Sequence, residues 1–134
     1  MPNIFEDEFT GRLDLSSEET AMFVYDLGQD ESLPYHYECV EEWLLVLGGT
    51  VGVRVPDGEV ELDHGALMRF APGPGGAHQI TNRGPAKARV LLFSRAALPS
   101  ISVYPDTDTI GVWPDDDTEF YFKRSDAVPR EDAV

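Results

Sequence analysis

The amino-acid sequence predicts an all-β fold, a sandwich or barrel of short antiparallel strands. Three observations predict it. Short apolar runs recur along the whole chain. Twelve glycines and ten prolines divide them at close intervals. No stretch joins helical periodicity to a cap and sufficient length. With 134 residues, of which 42% are hydrophobic, the chain is expected to form a single domain spanning 1–134 with a real core.

The strands are expected in this order. Ala21–Leu27 (AMFVYDL) is the first. A short turn near Ser16–Thr20 (SSEET) is the best helical candidate, with Ser16 or Ser17 as cap. Tyr35–Cys39, Glu42–Leu47 and Thr50–Val55 follow, with Gly48–Gly49 as the turn between the last two. Pro56–Gly58 suits a tight hairpin, because Asp-Gly tolerates positive φ, and leads into Glu59–Leu62. Asp63–Gly65 turns into Ala66–Phe70. Ala77–Asn82 and Ala88–Ser94 come next; Ser100–Pro105 and Glu119–Arg124 are weaker patterns. The aromatic-bearing tail Val103–Phe122 (VYPDTDTIGVWPDDDTEFYF) is expected to lie over a barrel edge or over a dimer contact, with Asp115–Asp117 solvated. The polar C-terminal RSDAVPREDAV is expected to fray.

Charge narrows the function. Asp and Glu outnumber Lys and Arg by 25 to 10, and the net charge is -15. Phosphate backbones and anionic lipid surfaces both call for basic residues, so neither nucleic acid nor a membrane is an expected partner. The single cysteine excludes an intrachain disulfide. The N-terminus has no basic start followed by an apolar run, and no apolar run is long enough for a membrane helix, so a cytoplasmic protein is expected.

The chemistry concentrates in two places. In YHYEC, residues two apart share a strand face, so His36 and Glu38 point the same way, and Glu42 keeps that parity. Downstream, the loop APGPGGA delivers His78 to the start of a strand, with Asn82 four residues on and on the same face. If these strands are neighbours in a small barrel, two imidazoles and two carboxylates converge. That donor set suits a first-row transition metal.

At these residues the chain resembles the cupin superfamily. Its first motif is matched by His36, Glu38, Glu42 and Gly49; its second by Gly65, Pro72, His78 and Asn82. The resemblance covers roughly residues 33–94 and is similar to that of small bacterial single-domain cupins. It implies a jelly-roll β-barrel of two antiparallel sheets, with a conserved-barrel-like core at about 33–94 and terminal strands or arms at 1–32 and 95–134. It implies a divalent metal on His36, Glu38, Glu42 and His78, and a homodimer. Two departures stand out. Glu38 replaces the family's second histidine, and Ala66 stands where an acidic residue is usual. Two histidines and two glutamates leave the site near neutral with harder donors, which favours Fe, Mn or Zn over Cu, with Ni a further candidate. Should Glu38 act as a base instead, His36, Glu42 and His78 remain as a two-His-one-carboxylate set, the type found in non-haem iron oxygenases.

The other candidates have plainer expected roles. His64, beside Asp63 in a turn, reads as surface. Cys39 reads as a small buried residue. Tyr35 and Tyr37 face out of the barrel, Glu41 faces solvent, and Arg69 and Arg83 lie on the surface. Leu44, Val46, Ile80 and Asn82 are expected to line the pocket, Asn82 through a hydrogen bond across the barrel. Such a lining favours an apolar or aromatic ligand over a sugar phosphate. Trp43, Leu45 and Leu47 make the other face of their strand equally apolar. That face is expected to need cover, from a partner subunit near Trp43 or from the N-terminal segment. Three functions stay open: an oxygenase or isomerase acting on a small organic molecule, a non-catalytic small-molecule or metal-binding module, and a metal-free barrel with a relic site.

Overall fold

The computed structural model describes residues 1–134. Twelve strands follow one another: β1 (Arg12–Asp14), β2 (Thr20–Leu27), β3 (Tyr37–Glu38), β4 (Glu42–Gly48), β5 (Thr50–Val55), β6 (Gly58–Asp63), β7 (Leu67–Phe70), β8 (Gln79–Thr81), β9 (Ala88–Arg95), β10 (Ser100–Tyr104), β11 (Thr109–Asp115) and β12 (Thr118–Lys123). Helix is confined to three 3-10 turns of three residues and one α-helical turn at Arg130–Ala133. No helix is long and apolar enough to cross a membrane.

The strands pair antiparallel throughout. One sheet runs β1-β2-β9-β4-β7; a second runs β12-β11-β10-β3; a third runs β6-β5-β8. Isolated antiparallel pairings of His36 with His78 and of Ser32 with Thr81 join β3 to β8, so the second and third sheets form one wall. The two walls enclose the core. Leu44 and Val46 of β4, Val51 and Val53 of β5, Ile80 of β8 and Val90 of β9 are 0–1% exposed. Period-two alternation decides which side chains enter. Trp43, Leu45 and Leu47 alternate with them on the outer face and are half-buried.

That outer face has partial cover from the N-terminal segment. Arg89 of β9 grips Asp26 of β2 in a bidentate pair at 2.7 and 2.9 Å, donates to the Ile4 carbonyl at 3.0 Å and lies 4.5 Å over the Phe9 ring. Elsewhere on the same face Trp43 stacks on Phe93 and donates to Glu41.

The structure corrects several expectations. Ser16 and Ser17 cap no helix. They close the β1–β2 hairpin, Ser16 Oγ accepting from the Met22 amide at 2.9 Å and Ser17 Oγ from the Thr20 amide at 3.2 Å. β1 and β11 are additional strands. β11 contains Gly111 and Pro114, which interrupt the pattern; Gly111 is required because a Cβ there would meet the Trp113 ring at 2.7 Å. Cys39 is exposed rather than buried, since β3 stops at Glu38 and parity no longer applies beyond it. Gly49 justifies its place in the first motif. Its φ is +76°, and the Ala88 Cα would lie 3.0 Å from any Cβ.

Candidate metal centre

The site forms where β3 and β8 meet. His36 and His78 exchange backbone hydrogen bonds of 3.1 and 3.0 Å, which places their imidazoles side by side, ring centroids 4.8 Å apart. Glu42, at the start of β4, reaches them from the opposite wall. Ligand atoms of His36, Glu42 and His78 all lie within 4.8 Å of one another. Glu38 falls outside this group; its Oε1 rests 3.4 Å from His36 Nε2.

Local backbone sets the orientation of both rings. His78 Nδ1 lies 2.8 Å from the Gly76 carbonyl, and His36 Nδ1 lies 3.0 Å from the Pro34 carbonyl. A carbonyl oxygen only accepts, so each Nδ1 donates, and each ring turns its Nε2 toward the cluster. His78 is further clamped by a parallel stack on Phe70 with centroids 3.6 Å apart. The loop before it is built for this. Pro74–Gly76 forms a 3-10 turn, the Gly73 amide donates to the Glu38 carbonyl at 2.8 Å, and a Cβ on Gly76 would strike the Ala71 carbonyl.

The electrostatics favour a cation. His78 Nε2 and Glu42 Oε1 stand 2.8 Å apart, with side-chain exposures of 3% and 12%. With Nδ1 already donating, a lone pair faces a carboxylate there, and only a proton or a metal ion relieves the contact. Burial disfavours a charged His36, but the Glu38 and Glu42 carboxylates outweigh it and raise the His36 pKa above its usual value. Two imidazole nitrogens on fixed backbone anchors and one carboxylate therefore fit a first-row divalent ion.

The remaining expected residues divide. Leu44, Val46 and Ile80 are in the packed core at 0–1% exposure, beneath the site. Asn82 makes the expected bond across the barrel, donating to the Leu27 carbonyl at 2.8 Å, and also donates to Ala86 at 2.7 Å. His64 is exposed; Arg69 pairs with Glu41, and Arg83 with Glu59. Tyr35 lies under the Arg54 guanidinium at 3.9 Å.

Sequence reasoning missed the hydroxyl-bearing wall. The Tyr104 ring lies nearly parallel to His36 with centroids 6.0 Å apart, and Ser102 is the register partner of Glu38. Tyr25 faces the same carboxylates, and Arg12 is its register partner on β1. Burial raises the pKa of both tyrosines, so they remain neutral donors. Inward parity in AMFVYDL marks Tyr25; the β3–β10 register that brings in Ser102 and Tyr104 is not visible in one sequence.

The sequence matches no protein-family model and no curated protein. Solved structures do match. A sugar phosphate isomerase of the cupin superfamily from Silicibacter pomeroyi superposes with a TM-score of 0.79 at 21% identity, over 91% of this chain and 82% of that one. The chain has the cupin fold. A second similar structure, a putative sugar phosphate isomerase from Acidithiobacillus ferrooxidans, gives a TM-score of 0.74 at 16% identity, over 83% of this chain and 71% of that one. A cupin-2 barrel domain protein from Salinispora arenicola gives 0.56 at 14% identity, over 64% and 75%. In this cupin-like fold the donor group lies between the two walls, His36 and His78 on one and Glu42 on the other.

Proposed function

We propose that this cupin is a divalent-metal enzyme that isomerises a small hydroxylated carbonyl compound bearing an anionic group. The observation that carries the reading is the division of labour among four side chains. His36, Glu42 and His78 form a compact donor group with both Nε2 atoms oriented by backbone, and Glu38 stands outside it with its carboxylate 3.4 Å from His36 Nε2. A bound divalent ion would supply Lewis acidity to a substrate oxygen. Glu38 takes the proton from the hydroxyl-bearing carbon next to the carbonyl and returns it to the former carbonyl carbon, while the proton of that hydroxyl passes to the former carbonyl oxygen, so that carbonyl and hydroxyl exchange places without net oxidation. Tyr25, Tyr104 and Ser102 donate hydrogen bonds to substrate hydroxyls. Arg12 supplies positive charge beside Tyr25, its cross-strand partner. Two of the similar structures are described as sugar phosphate isomerases, which supports this class of substrate over an apolar one.

The test uses metal-reconstituted protein in D2O with a panel of aldose and ketose phosphates, following deuterium at the carbon next to the carbonyl by NMR. The expected outcome is exchange that falls at least roughly 100-fold in Glu38→Gln, with metal content retained. His36→Ala and His78→Ala should each lose stoichiometric metal. Full metal content in both histidine variants defeats the donor assignment. Metal binding without exchange on any substrate defeats the isomerase and favours the non-catalytic module. Oxygen consumption in place of exchange favours an oxygenase on the same three ligands. A separate competition titration addresses Glu38 as ligand: Glu38→His should gain affinity for Ni relative to Mn only if Glu38 itself binds the ion.

A further inference from the structure

β12 ends the four-stranded sheet, so its outer edge has no strand beside it. It is also apolar and exposed. Phe120 is 54% exposed, Tyr121 54% and Phe122 50%. Unpaired edges of this kind invite another strand, and proteins usually blunt them with charge, proline or a bulge. Residues 119–123 carry one acid and one base, at the two ends of the aromatic run.

The charge order along this edge is polar. The hairpin entering β12 is acidic, Asp115–Asp117, and the strand leaves through Lys123 and Arg124. A parallel neighbour would set like against like. An antiparallel copy sets the acidic end of one strand on the basic end of the other. A two-fold axis normal to the sheet can pair only residues on the same face, so it must pass through a residue. Through Tyr121, it places Glu119 opposite the partner's Lys123 and Phe120 opposite the partner's Phe122, with Thr118 beside the partner's Arg124. Centred on Phe120 or Phe122, the same axis breaks the Glu–Lys match.

We infer that this face is a homodimer interface, in which β12 of one protomer pairs antiparallel with β12 of its partner about Tyr121. Both charged groups have capacity left for it. Glu119 accepts from Trp113 and Tyr121 through Oε2 alone, at 3.2 Å each, which leaves Oε1 open. Lys123 Nζ donates to the Thr107 carbonyl at 2.7 Å and keeps further N–H groups. The eight-stranded sheet so formed also joins the two copies' Phe120 and Phe122 to the Val112 and Ile110 side of β11.

The test is a charge-swap cycle read by sedimentation equilibrium on the full chain. Wild type should be a dimer. Glu119→Lys and Lys123→Glu should each weaken association about tenfold or more, because each puts like charges opposite one another twice over. The double variant Glu119→Lys/Lys123→Glu should recover the dimer, although it lacks the same internal bonds as the two single variants combined. Far-UV circular dichroism and metal content serve as folding controls. A monomeric wild type, a dimer indifferent to the swaps, or a double variant no better than the singles overturns the proposal. So does a dimer broken by Trp43→Glu but not by the swaps, which would move the interface to the five-stranded sheet.

Discussion

Gly76 has no side chain, yet the orientation of His78 depends on it. Its carbonyl anchors Nδ1 at 2.8 Å, and the Ala71 carbonyl occupies the space a Cβ would need. Gly76→Ala should therefore reduce metal affinity while leaving all proposed ligands in the chain; isothermal titration with Zn or Mn checks it. Asn82 acts on a different group. It is 1% exposed and satisfies the Leu27 and Ala86 carbonyls while accepting from the Gly84 amide at 3.0 Å. Asn82→Ala leaves buried carbonyls without a donor and should cost roughly 2–4 kcal/mol in urea unfolding. At this scale much of the site was readable. The convergence of His36, Glu42 and His78 was expected on condition that their strands are neighbours, and their ligand atoms do lie within 4.8 Å of one another; parity within a strand could not by itself have joined Glu42, which lies past the end of β3, to the two histidines. Cys39 was misread for the same reason: parity ends where a strand ends, and a bend after Glu38 shows no clear mark in composition.

Along β2 and β9 the cross-strand partners Asp26 and Arg89 form the best-buried of the arginine and lysine ion pairs, with side chains 8% and 10% exposed. Burial alone would raise the Asp26 pKa, but its hydrogen bonds from Arg89 and Lys87 prevail and lower it. The stabilisation is therefore complete above the unfolded carboxyl value of about 3.9 and is lost as pH falls through the lower folded value. Acid unfolding should begin at higher pH in Asp26→Asn, and that variant should lose about 3 kcal/mol at neutral pH, the lower range for removing one member of a buried pair. Arg89 also holds the N-terminal segment through Ile4 and Phe9. Arg89→Met should free amides before β1 to exchange while those of β4 and β5 stay protected, read by hydrogen–deuterium exchange. Strands with uninterrupted apolar runs, such as Glu42–Gly48 and Thr50–Val55, were legible almost to the residue. β11 was not, because Gly111 answers to the rings of Trp113 and Tyr121, a demand made by tertiary packing rather than by strand propensity.

Across the whole molecule, the two walls are joined by very different means. The five-stranded wall is knit by long strands, while the other is made continuous at the His36–His78 and Ser32–Thr81 pairings. Each wall holds one of the two tryptophans. Trp43 stacks on Phe93 in the first, with rings 9° from parallel, and Trp113 meets Tyr121 edge-on at 87° in the second. The chain thus carries an intrinsic fluorophore for each half of its barrel. Trp43→Phe and Trp113→Phe make each half optically separate from the other. If the walls melt as one cooperative unit, the two single-tryptophan emission curves will coincide in urea. If the β11–β12 hairpin opens first, Trp113 emission will shift red at lower denaturant than Trp43, and the β10–β11 pairing will be the seam along which the barrel first comes apart.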